Sequence, residues 1–179
     1  MHEIPCYPAV MHKTLICHLF VIVLLAGVMP ADAAPACGSL IMPVADLRSV
    51  GRGMSRSHAG IDLMAAYGSP VRAAAAGDII FASRYYGYGN MVDIRHADGS
   101  VTRYAHLSRF ATSVRPGTRV TAGQVIGAIG TTGRAHGPHL HFELRINGVP
   151  VNPEPAIMGA SCPTPPRVPP QLLVEVRPR

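Results

Sequence analysis

Gly137-Pro138-His139-Leu140-His141-Phe142-Glu143-Leu144 alternates polar and apolar side chains from His139 onward. Alternation with a period of two marks a half-buried β-strand: His139, His141 and Glu143 share one face, and Leu140, Phe142 and Leu144 share the other. One face is chemical and the other belongs to a core. The surrounding sequence extends this reading, with short apolar or alternating runs at Val71 to Ala74, Asp78 to Arg84, Met91 to Arg95, Val101 to His106 and Gln124 to Ile129. Gly77, Asp98-Gly99, Pro116-Gly117 and Gly130 to Gly133 punctuate the runs as turns. The alanines Ala73 to Ala76 have helical propensity, but their place between β-like runs and beside Gly77 makes strand the expectation. No long amphipathic helix competes, and roughly 120 residues suffice for one core and not two. The expected fold is all-β: a single small antiparallel β-sheet or barrel-like domain with an active-site groove.

Two imidazoles on one strand face suit zinc, which binds neutral imidazole nitrogen at about 2.0 to 2.1 Å. A third ligand is needed, and Ser57-His58-Ala59-Gly60-Ile61-Asp62-Leu63 offers a histidine and an aspartate four positions apart. That spacing places both on one face in a helix or a strand, and the apolar Ala59, Ile61 and Leu63 favour the extended form. Two histidines and a carboxylate leave the fourth position of a tetrahedral ion open to water, the arrangement of hydrolytic sites. A His-Glu-x-x-His helix is absent from the sequence, so a glutamate base on such a helix is not indicated. Glu143 reads as a residue behind the ligands or as a solvent-facing strand residue. His96, beside the Asp98-Gly99 hairpin signal, reads as an exposed turn histidine, while His136 is a candidate to line the cleft.

A further histidine, His106, sits in Arg103-Tyr104-Ala105-His106-Leu107-Ser108. With it, the His-x-x-x-Asp, Tyr-Ala-His-Leu and Gly-Pro-His-Leu-His elements resemble, in order and separation, the lysostaphin-type (LytM-type) zinc metallopeptidases, which cleave cross-bridges or stem peptides of bacterial peptidoglycan. The resemblance runs from about Val50 to about Pro153. It implies that His58, Asp62 and His141 hold one Zn2+ per chain, and that His106 and His139 are catalytic histidines that stay off the metal. An imidazole with an unperturbed pKa near 6.5 suits proton transfer to and from water at neutral pH. Members of the family often carry a small hydroxyl residue where this chain has His136, a departure expected to alter substrate preference and not the metal site. The resemblance implies an exported zinc-dependent endopeptidase acting on peptidoglycan. The alternative is a catalytically silent relative that binds or activates other cell-wall hydrolases, and presence of all five site residues favours the enzyme. A weaker possibility is a peptidase for glycine-rich proteins outside the wall. Whether the bond cleaved joins D-Ala to diaminopimelate or lies in a glycine bridge stays open.

The N-terminal region fixes the expected compartment. Leu15 to Met29 is almost wholly apolar, follows His12 and Lys13, and precedes Ala31-Asp32-Ala33-Ala34, the pattern of a secretory signal peptide. The run is short for a spanning helix, which needs about twenty residues, so the membrane is expected to matter only through export or an uncleaved anchor. Cleavage is expected after Ala33, with Ala36 as a second site, and a conventional signal would start at Met11. Lipidation at Cys37 is disfavoured, because Ala34-Pro35-Ala36 lacks a bulky residue. Cleavage leaves Cys37 and Cys162, which an oxidising compartment favours as a pair. From Ala34 onward there are fifteen Arg, no Lys and eight Asp plus Glu, a formal net charge of +7. An exported chain of that charge is drawn to anionic envelope polymers, and export argues against nucleic acid as a partner. The expected organisation is a signal peptide at 1–33, a lead-in at 34–49, the peptidase domain at 50–162 and a proline-rich tail at 163–179, acting as a monomer in the periplasm or outside the cell. Upstream of the domain only Asp46 or Cys37 could place a blocking side chain on the metal, so a strong latency device is not expected.

Overall fold

The computed structural model describes residues 40–159; the signal peptide, Cys37, Cys162 and the proline-rich tail lie outside the described residues. Among those residues, ten strands form one antiparallel sheet with a single short helix, α1 at Glu154–Ile157. The strands are β1 Ser49–Val50, β2 Ile61–Met64, β3 Pro70–Arg72, β4 Gly77–Tyr85, β5 Gly89–Arg95, β6 Val101–Phe110, β7 Arg119–Val120, β8 Val125–Ile129, β9 His139–Ile146 and β10 Val149–Val151. The main path of the sheet is β1-β2-β9-β6-β5-β4-β7, with β10 on β9, β8 on β6 and β3 on β8. The all-β antiparallel expectation therefore holds, and β9 lies between β2 and β6.

The two faces of β9 divide as its alternation requires. Leu140, Phe142 and Leu144 enter the core with Ile61 and Leu63 of β2 and Tyr104 of β6. The core also takes in Leu40 and Val44 from the segment before β1, where Val44 bridges Val71. Phe142 and Tyr104 are cross-strand partners whose rings lie 5.3 Å apart, a separation at which aromatic pairs attract beyond simple burial.

Two expectations need correction. Ala73 to Ala76 is a bend and not a strand, since β3 ends at Arg72 and β4 begins at Gly77. Its backbone is satisfied outside a regular ladder: Ala73 N–H donates to Gln124 O at 2.9 Å, and Ala74 N–H donates to the Tyr104 hydroxyl at 2.8 Å. Ala73 and Ala74 are fully buried, so their small side chains let the chain turn against the core. His96 is likewise not exposed. It is buried beneath the β5–β6 hairpin, with Nδ1–H donating to Ala76 O at 2.9 Å and Nε2 lying 2.8 Å from Thr102 Oγ1. Thr102 Oγ1 is 2.9 Å from the Tyr104 hydroxyl. One consistent relay results, from Ala74 N–H through Tyr104 O–H and Thr102 O–H to His96 Nε2. Asp98-Gly99 still supplies the turn, with Gly99 at φ +81°; the histidine before it simply folds inward, because these buried polar groups need one another.

Candidate active site

The centre of the site is built by the β2–β9 ladder, which pairs Asp62 with His141 and Met64 with His139. His58 precedes β2 in a tight turn, where it bridges Ser55. Between His58 and Asp62, Gly60 runs so close to β9 that a Cβ there would lie 2.2 Å from Phe142 O. Only glycine allows that approach, and the approach brings His58 over the strand face occupied by Asp62 and His141.

His58 Nε2, Asp62 Oδ1 and His141 Nδ1 are each 3.0 Å from the other two. The remaining imidazole nitrogens fix the tautomers. His58 Nδ1–H donates to Gly53 O at 2.9 Å, and His141 Nε2–H donates to Glu143 Oε1 at 3.1 Å. Two lone pairs and a carboxylate oxygen thus converge on one point. A proton can serve one edge of this triangle at a time, whereas a cation serves all three. Zinc bonds of about 2.0 to 2.1 Å at tetrahedral angles separate ligand atoms by about 3.3 Å, so this donor set fits a zinc ion in both chemistry and spacing. Electrostatics agree with positive charge here. Burial alone would push the Asp62 carboxyl up, yet the hydrogen bond with His141 and the imidazoles of His139 and His58 hold it below its ordinary value. Burial would likewise lower His141, but the Asp62 and Glu143 carboxylates raise it.

Glu143 is fully buried and lies behind His141. Besides His141 it accepts from the Tyr88 hydroxyl at 2.7 Å and from Arg145, and Arg103 Nη1 is 3.7 Å away. Against the penalty of burial, these donors bring its pKa down to about 2. Of its two sequence readings, solvent-facing is excluded by its burial, and it stands behind His141. Arg103 is itself fixed by two 2.8 Å bonds to Asp93 and sits 4.9 Å from the centroid of the Tyr88 ring.

His106 and His139 stand beside this group with ring centroids 4.8 Å apart. Their Nδ1–H groups donate to Thr132 O and Gly137 O, each at 2.8 Å. Each ring thus turns its Nε2 away from its anchor, and His139 Nε2 is 3.7 Å from Asp62 Oδ1. Burial, reinforced by the neighbouring imidazoles, lowers the pKa of His106 despite its bond to Thr132.

His106 reaches the site through a break in strand geometry. Ala105 pairs with His141, and Tyr104 and Leu107 both enter the core, so strict alternation would send His106 toward the core beside Tyr104. Instead His106 adopts φ +61°, and between Tyr104 and Leu107 the β6 chain holds one more residue than β5 does opposite it. This is a β-bulge, which re-aims a side chain. Few residues other than glycine adopt the left-handed region, histidine being among those that do so more readily.

The structure thus brings together all five residues singled out from sequence, and His136 lines the same groove of about 800 Å³. Asp46 is exposed and is not among the residues lining that groove. Sequence reading missed Asp93, Arg103 and Tyr88 as supports of the site. Arg103 was detectable in principle, since it pairs with Glu143 across β6 and β9, but Tyr88 lies in a 3-10 turn at Tyr86–Tyr88 with no periodic signal.

Comparison with known proteins gives a consistent picture. Residues 56–153 match the family described as peptidase family M23. The DD-carboxypeptidase/endopeptidase Mpg of Neisseria meningitidis serogroup B is 54% identical over 110 residues, covering 62% of this chain and 24% of that protein. The chain therefore spans about a quarter of the length of that relative. The catalytic domain of the antimicrobial peptidase lysostaphin from Staphylococcus simulans superposes with a TM-score of 0.55 at 34% identity, covering 60% of this chain and 90% of that domain. A zinc-containing peptidase from Vibrio cholerae gives a TM-score of 0.59 at 32% identity, covering 63% of this chain and 38% of the other.

Proposed function

This chain belongs to peptidase family M23, and on that premise we propose that it is an extracytoplasmic, zinc-dependent endopeptidase that hydrolyses peptide bonds in peptidoglycan cross-links or stem peptides. The observation that carries the reading is the mutual 3.0 Å approach of His58 Nε2, Asp62 Oδ1 and His141 Nδ1. These three would hold one zinc ion per chain. When bound, zinc supplies Lewis acidity toward a scissile carbonyl and toward water. Glu143 keeps His141 in the tautomer that turns Nδ1 to the metal, and its buried charge strengthens that nitrogen as a donor. His106 and His139 offer Nε2 lone pairs to the reacting water: one accepts its proton, and a protonated imidazole returns a proton to the leaving amine or donates to the developing oxyanion. Peptidase chemistry is supported by the likenesses to lysostaphin and the Vibrio protein, and the substrate by Mpg and by the peptidoglycan DD-endopeptidase ShyC of Vibrio cholerae, 44% identical over 101 residues and covered to 23% of its length.

The test combines metal analysis with digestion of purified sacculi and identification of the released peptides by mass spectrometry. Wild type should bind one equivalent of zinc, release peptides, lose activity on chelation and regain it with zinc. His141→Ala should lose both metal and activity. Protein that binds zinc and wall but releases no peptide would point to the silent, binding role instead.

A further inference from the structure

The charge of the groove is one-sided. We infer that it selects substrates carrying a free carboxylate close to the scissile amide, in preference to neutral bridges; this rests on the peptidase reading above. Arg52, Arg56, Arg134 and His136 line the groove together with the site histidines. Asp62 is the one carboxylate among its lining residues, and its Oδ1 is already engaged by His58 and His141. Among the described residues, Arg52, Arg56 and Arg134 take part in no ion pair, whereas Arg103 and Arg145 are neutralised by Asp93 and Glu143. The groove therefore presents three uncompensated guanidinium groups.

Their placement follows from the topology. Asp62 pairs with His141, Ile61 with Phe142 and Met64 with His139. The chain carrying Arg52 and Arg56 enters β2 at the Ile61 end of this ladder, and the chain carrying Arg134 and His136 enters β9 at the His139 end. Arg52 itself lies level with the His-Asp-His group, since its carbonyl accepts from Asp62 N–H at 2.9 Å on the edge of β2 away from β9; the cations thus flank the group from the β2 side and from the chain that leads into β9. Arg52 Nη2 donates to Ser57 O at 3.2 Å. The backbone of Arg134 is tied down, its N–H donating to Gly87 O at 2.8 Å. A guanidinium fork binds a carboxylate through two parallel hydrogen bonds, and uncompensated charge beside a cleft concentrates anionic ligands. A glycine bridge offers neither charge nor bidentate acceptor. A stem peptide with free carboxylates beside the bond to be cut offers both.

The experiment uses the zinc-loaded full chain and two synthetic cross-linked stem peptides that differ only in whether the carboxylates flanking the scissile amide are free or amidated. Wild type should favour the free acid by about tenfold in kcat/KM, through KM, and the margin should shrink at high salt. Arg134→Gln and the double variant Arg52→Gln/Arg56→Gln should each move the ratio toward one. Arg115→Gln, on an exposed turn outside the groove, should keep it. Equal cleavage of both peptides by wild type, or a preference unmoved by the groove variants, overturns the inference and leaves the peptidase reading standing. Failure to cleave either peptide with zinc bound overturns both.

Discussion

His106 is the residue where chemistry and backbone oppose each other. Its left-handed φ of +61° carries a cost of about 1 to 3 kcal/mol, borne by a bulge whose effect is to turn an imidazole from the core to the groove. Asparagine, like histidine, is among the side chains enriched in that conformation, so His106→Asn should fold and retain zinc. It should nevertheless lose about 10² to 10⁴ in rate, the usual contribution of a positioned acid or base. Parallel hydrolysis assays and metal analysis check this, and loss of zinc from the variant would argue that His106 supports the metal instead. Glu143 gives the complementary case. Glu143→Gln keeps the shape but removes the buried charge behind His141, and zinc affinity should fall by about 10- to 100-fold, read by chelator competition without reference to turnover. An unchanged affinity would show that the tautomer of His141 is held by other contacts.

The strands set how much of this was legible in the sequence. β9 announced itself because Leu140, Phe142 and Leu144 occupy one face without interruption, and β2 because Ile61 and Leu63 flank Asp62 in the same rhythm. Period two reports a face only while the ladder is regular. It says nothing of the bulge in β6, which alternation alone would misread by sending His106 inward. It also misses His96, whose burial depends on Thr102, Tyr104 and Ala76, contacts that no local pattern encodes. Among these, Tyr104 ties β6 to the bend between β3 and β4. Tyr104→Phe leaves Ala74 N–H buried and without its partner, and should cost about 1 to 3 kcal/mol in urea unfolding while leaving zinc stoichiometry intact. A loss well below that range would mean that water or a backbone shift replaces the hydroxyl. Gly60→Ala should do more damage, because its Cβ would meet a backbone carbonyl of β9; both stability and metal binding should fall together.

At the scale of the whole molecule, the buried tyrosine makes stability depend on alkaline pH. Burial pushes Tyr104 up to about 12, against about 10 in an unfolded chain. The unfolded state therefore releases this proton first. The contribution is fully present below about pH 10 and is lost as pH rises toward 12, amounting to about 2 to 3 kcal/mol. Denaturant midpoints measured from pH 8 to 12 should decline for wild type and decline less steeply for Tyr104→Phe; parallel curves would remove Tyr104 as the cause. The β2–β9 ladder has another consequence, concerning time. Asp62 and His141 are 79 positions apart in the chain, and they meet only when β2 zips against β9. Contacts that distant form slowly, because a long loop must close before they are rewarded. An unfolded chain carries the donors scattered, so the three-atom group exists only once β2 and β9 have paired. Zinc uptake followed in a refolding experiment would then act as a clock for the pairing of β2 with β9.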